Sequence, residues 1–294
     1  MAGKFMVVFA MGLPPAWSVT EFAGLENASV TIEMSMDGLA YAVMMTGMAE
    51  NIRIDLARNN AVVSGRNLTS LLIDAEISES FVNQTASDVA ELIAVRHGMV
   101  PNITQTIQRI GQYYQIDHAR TALNVGSRAT TEWNLLCRLA QAEGFGVSVT
   151  DNVLNFGPVM LGETVLATPK NFMALEIDRV TVLPAAVAVR SWNTRSKQAV
   201  EQRVGAGTVT TLVRPNMTAV QAGDYANSCL TMLMRHGKIL LGKMPGDIKL
   251  SVGDAIYLAD TNSELDDTYV VTSLTRRLGG REGFTQTVRA YAVE

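Results

Sequence analysis

The stretch AVAVRSWNTRSK, residues 186–197, begins as a β-strand and ends in a polar, basic excursion. Successive strand side chains point to opposite faces, so Val187 and Val189 share one face while Arg190 and Trp192 share the other. The valine face reads as a core face. Two readings of the opposite face stay open. Either Arg190 and Trp192 look outward toward a neighbouring domain or subunit, or the faces are reversed and Trp192 is ordinary core.

Beyond this strand, Thr218 introduces a long helix, near 219–236, with Ala222, Tyr225, Ala226, Cys229 and Leu233 on one face and Gly237 after it. DAIYLAD (254–260), TYVVTSLTRRL (268–278) and FTQTVRAYAV (284–293) then read as strands, the last two joined by the hairpin signal GGREG. On the other side, LEIDRVTVL (175–183) is another strand. GVSVT, Asp151-Asn152 and VLNFG spell a tight hairpin, because Asx residues tolerate the positive φ of a two-residue turn.

Further upstream, helices dominate from Asn67 to Gly144. Thr131 opens one with Trp133, Leu136, Cys137 and Ala140 at helical spacing. Thr85 and Asp88 make a cap-like pair before Val89, Leu92 and Ile93, with Gly98 as the stop. Before Gly65 the texture changes to five short strands: FMVVFAM, ASVTIEMSM, AYAVMMTGM, NIRIDLA and AVVSG. The chain is therefore read as α+β and β-rich. Residues 1–65 form a first β region, with part of 150–170 available to complete it. Residues 66–158 form an α/β insert, and 171–294 form a second β region carrying the long helix.

Bulk properties exclude several functions. The 294 residues suffice for two domains. A net charge of -4 argues against a general phosphate trap, which requires a basic stripe. Cys137 and Cys229 each sit in an amphipathic helical pattern and read as free buried thiols. The early apolar run ends at Pro14 and Pro15, and it reads as a first strand rather than a signal peptide. No apolar stretch reaches the 18 residues of a membrane-spanning helix.

A search for chemistry finds little. His97 and His236 sit at helix ends, in the phrases AVRHG (94–98) and LMRHG (233–237), and His118 has no partner at metal-ligand spacing. The Arg-His-Gly echo is explained equally by duplication or by the general preference for cations and glycine at helix C-termini. GAG at 205–207 lacks the remainder of a dinucleotide fingerprint. Glu264, Asp266 and Asp267 cluster in NSELDD, where acids ordinarily solvate a turn. Five N-x-S/T sequons, at Asn27, Asn67, Asn83, Asn102 and Asn216, carry no weight without a secretory context.

One resemblance organises these fragments. In order, SGRNLTSLLIDAEI, NQTASDVAELIAVRHGM, TTEWNLLCRLAQAEGFGVSVTDNVLNFGP and VAVRSWNTRSKQ resemble the phage late control D family, the baseplate hub proteins of phage tails. That family is related to the N-terminal region of type VI secretion spike proteins. PGDIKLSVGDAIYLAD, TYVVTSLTRRLGG and FTQTVRAYAV are similar to its closing strands, and the resemblance spans residues 60–294.

The resemblance implies two tube-type antiparallel β-barrel domains per chain with an α/β insert between them. It implies a homotrimer whose six domains ring a channel, joining a hexameric tail tube to a trimeric spike or puncturing protein and contacting other baseplate proteins. DNA would pass through without specific binding. The chain would be made in the host bacterial cytoplasm and reside in the virion tail baseplate, with no catalytic residue, cofactor or metal. The competing readings are a tail-tip peptidoglycan hydrolase, for which no carboxylate or His/Cys constellation is evident, and a carbohydrate-binding module. The latter would want more aromatics than the 6% present.

Overall fold

The computed structural model describes residues 2–12, 17–77, 79, 81, 83–107, 109–110, 131–181, 185–193, 197–215, 217–235 and 237–293. Pro14 and Pro15, His118, His236, the sequon at Asn216 and the basic excursion at 194–196 lie outside these residues. The fold is α+β and β-rich, built on curled half-barrel sheets. Two compact units divide the chain: Met1–Ala140 with Phe145–Gly157, and Gln141–Gly144 with Pro158–Glu294.

The first unit opens with β1 (Lys4–Ala10), α1 (Val19–Ala23), β2 (Ser29–Met34), β3 (Ala42–Asp55) and β4 (Asn60–Asn67). The strands form an antiparallel sheet in the order β1-β4-β3-β2. Its inner face packs Phe5, Ala61 and Val63 against Phe22 of α1, with Phe9, Ile52 and Ile54 around them. AYAVMMTGM and NIRIDLA, read as two strands, are one 14-residue strand whose register shifts between Ala49 and Asn51. Such a bulge bends a strand without ending it.

Two glycines allow β3 and β4 to meet there. A Cβ on Gly65 would lie 1.9 Å from the Met48 carbonyl oxygen, and one on Gly47 would lie 2.3 Å from that of Arg66. Each side chain would strike backbone, which cannot rotate away.

The chain continues with α2 (Thr69–Asp74), α3 (Ala86–Arg96), β5 (Val100–Ile103), α4 (Glu132–Glu143), β6 (Phe145–Thr150) and β7 (Val153–Pro158), all in the first unit but for the ends of α4 and β7. The sheet order is β5-β7-β6. Thr85 and Asp88 form the expected capping box on α3, and Gly98 follows at φ 66°. Asp151 takes φ 50° in the hairpin turn. Leu72, Ile93, Leu135, Leu136, Leu154 and Phe156 are fully buried and make one core.

The second unit holds β8 (Thr164–Ala167), β9 (Ala174–Arg179), β10 (Ala186–Asn193), β11 (Gln198–Gly205), β12 (Val209–Val213), α5 (Ala219–Met234), β13 (Lys238–Pro245), β14 (Ala255–Leu258), β15 (Asp267–Gly279) and β16 (Gly283–Ala292). These give a three-stranded sheet, β11-β10-β12, and a six-stranded sheet, β8-β14-β15-β16-β13-β9. Thr218 and Gln221 cap α5 reciprocally. Within this β-rich class three strand pairs run parallel: β5 with β7, β8 with β14 and β10 with β12.

Tyr269 is fully buried in the six-stranded sheet, and its hydroxyl donates to the Leu265 carbonyl at 3.0 Å. Burial, reinforced by the neighbouring charges of Asp267 and Asp266, pushes its phenol up to about 12 from the ordinary 10.0. Above pH 10 an unfolded chain would ionise this tyrosine while the folded one would not. The stability it contributes is therefore complete below pH 10 and is lost as the pH climbs toward about 12. Denaturant midpoints measured across pH 9–12 are expected to fall more steeply in the native sequence than in Tyr269→Phe. Identical slopes would refute this assignment.

Candidate assembly surface

Helix α5 packs on one face of the three-stranded sheet. Val187 and Val189 of β10 are fully buried against α5, where Ala222, Tyr225, Ala226 and Cys229 meet them. The side chains of Arg190 and Trp192 point to the other face, and Trp192 is 56% exposed. The reversed arrangement, with Trp192 in the core, is not the one adopted.

Register fixes what surrounds them. Trp192 lies opposite Ala199, Arg190 opposite Glu201 and Ala188 opposite Arg203 on β11. Across the parallel pair, Arg190 lies opposite Val213 and Ala188 opposite Thr211. The open face thus carries Trp192, Ala199 and the 69%-exposed Val213 around an Arg190–Glu201 ion pair of 3.1 Å. Both partners of that pair are more than half exposed, so water screens it and it adds under about 1 kcal/mol. Arg203 donates to the Gly207 carbonyl at 3.3 Å and has no acidic partner among the described residues.

A second surface feature lies in the first unit, where the end of α1, with Ala23 and Leu25, faces Ala49, Ile52 and Ile54 of β3 across an open groove. β2 pairs with β3 only as far as Met48, so among the described residues β3 from Asn51 to Asp55 pairs with β4 alone. Glu26, Asn27, Glu50 and Asn51 make the polar rim. Glu50 is held by Arg66 at 2.6 Å, and Glu26 has no ion-pair partner among the described residues.

The described acids weighed for chemistry have structural partners. Lys238 Nζ donates to Asp267 at 2.9 Å, the Thr261 amide to Asp266 at 2.8 Å, and Arg179 lies 3.4 Å from Glu264. All three acids serve one loop. Cys137 and Cys229 are free thiols, and burial pushes both above their ordinary range. Among the described residues no group of three or more His, Cys, Asp or Glu side chains could hold a metal ion, and no helix is long and apolar enough to cross a membrane.

His97 has a partner that the sequence did not reveal. Its Nε2 lies 2.5 Å from Glu132 Oε2, and Arg96 Nη1 donates to Glu132 Oε1 at 2.6 Å. Glu132 is almost wholly buried, and Arg96 also reaches Glu79. The cluster joins the C-terminal end of α3 to the first turn of α4.

No family model and no curated protein matches this sequence. Solved structures do match: the fold is shared with bacterial and prophage tail proteins. In particular, the tail protein from Neisseria meningitidis MC58 superposes with a TM-score of 0.68 at 15% identity, over 99% of this chain and 88% of that one. The 43 kDa tail protein of prophage MuSo2 from Shewanella oneidensis gives 0.67 at 15% identity, over 99% and 89%. An Escherichia coli component of the type VI secretion system, described as structurally similar to T4 bacteriophage tail proteins, gives 0.56 at 13% identity, over 89% and 63%. The likeness is one of fold, and it is to the same class of protein that the sequence phrases resemble.

Proposed function

We propose that this chain is a structural baseplate hub protein of a phage or phage-like tail. In this reading three copies form a ring with pseudo-sixfold symmetry, each copy contributing two β-rich units. The ring joins a hexameric tail tube to a trimeric spike and leaves a channel through which DNA passes. The observation that carries the reading is the tail-protein fold, matched over nearly the whole chain. The ordered sequence phrases of the hub family add to it, and so does an open sheet face bearing Trp192 and Arg190, residue types enriched at binding hot spots. The channel is expected to be polar and not to grip its cargo, because a chain at -4 offers no general phosphate trap.

Native mass spectrometry of the chain with its neighbouring tail proteins, together with electron micrographs, tests this. Three copies in a ring with a central hole are expected. Any other stoichiometry, or salt-dependent submicromolar binding of DNA by the free protein, would overturn it.

A further inference from the structure

A cyclic trimer cannot be built from one self-complementary patch. Its contacts are heterologous, so every copy must carry two different surfaces that fit each other. We infer that the groove between α1 and β3 is the acceptor for the Trp192 face of a second copy of this chain, an inference that rests on the ring reading above.

Among the described residues the two surfaces carry unpaired charges of opposite sign. The acceptor is an open groove in which Leu25, Ile52 and Ile54 lie among the polar Glu26, Asn27, Glu50 and Asn51. The donor is a sheet face from which the indole of Trp192 projects, with the exposed Val213 opposite Arg190 on the same face. Each surface has one ion pair of its own, Glu50–Arg66 on the acceptor and Arg190–Glu201 on the donor. Among the described residues each also has a charge without an ion-pair partner. These are Glu26 on the groove rim and Arg203 on the sheet face, and they are opposite in sign.

The units around them follow the same pattern: the first contains nine basic and fourteen acidic residues, the second fifteen and fourteen. A net negative surface meeting a weakly positive one is steered together and kept from its own kind. The groove also presents backbone donors and acceptors of Asn51–Asp55 that no strand on that side satisfies among the described residues. A docked copy would cover this edge, which otherwise invites unspecific strand pairing.

The test is a charge swap in the full chain. Glu26→Lys alone is expected to lower ring yield by about tenfold or more, because it sets like charges together. Arg203→Glu in the same chain should restore most of that loss, while each variant keeps the native thermal melt. Mixing Glu26→Cys protein with Arg203→Cys protein under mild oxidation should give a disulfide-linked species that neither gives alone. If rings form normally in Glu26→Lys and no mixed disulfide appears, the contact is overturned while the ring stands. If the native chain forms no ring with its neighbours, both readings fail.

Discussion

Trp192→Ala is expected to leave the cooperative melt of the isolated chain almost unchanged while ring formation drops about thirtyfold, the equivalent of the roughly 2 kcal/mol lost when a hot-spot side chain is truncated. The indole is 56% exposed, so removing it opens no cavity, and the monomer should lose less than about 1 kcal/mol. Val189, three residues earlier on β10, sits on the buried face; Val189→Ala should do the reverse, lowering the melt with little direct effect on assembly. Arg190→Glu places an acid opposite Glu201 and should hinder assembly without unfolding the chain. The check is a thermal melt of each monomer beside its ring yield. A collapsed melt in Trp192→Ala would end the interface assignment.

The second large effect belongs to Glu132. Its carboxylate is buried and receives Arg96 and His97 at once, so Glu132→Ala removes an acceptor and leaves two basic side chains facing a gap. Truncating one member of a buried charged pair typically costs about 3 kcal/mol or more. Here about 3 is expected, because Arg96 keeps water contact and its second partner, Glu79. Urea denaturation of the full chain measures it. Glu132→Gln retains an amide oxygen as acceptor and should cost less than alanine. A loss under about 1 kcal/mol for Glu132→Ala would mean that the cluster is not a structural tie between α3 and α4.

How much of this was legible beforehand depended on how local the cause was. The capping boxes at Thr85 and Thr218 and the turn at Asp151 are written in adjacent residues, and the structure has them where the sequence put them. β16 and its partner β15 were legible for the same reason. β5 and β8 were not read as strands, because each is four residues long and pairs with a segment far away in the chain, and β11, β12 and β13 were missed as well. The orientation of Trp192 was undecided because AVAV offers apolar residues to both faces. Only the helix laid against Val187 and Val189 resolves it. The groove was invisible, since α1 is five residues long and its facing strand lies some thirty positions away. Glu132 looked like any acid in a first helical turn.

The glycine pair at positions 47 and 65 has an evolutionary consequence. Because the obstacle at each is a carbonyl oxygen of the facing strand, no compensating substitution of a neighbouring side chain can make room. Drift is open to Met48 and Arg66 themselves, whose identities the clash ignores. Any lineage that keeps this bulged crossing of β3 and β4 is confined to glycine at both places, and a lineage that departs from glycine must first have lost the crossing.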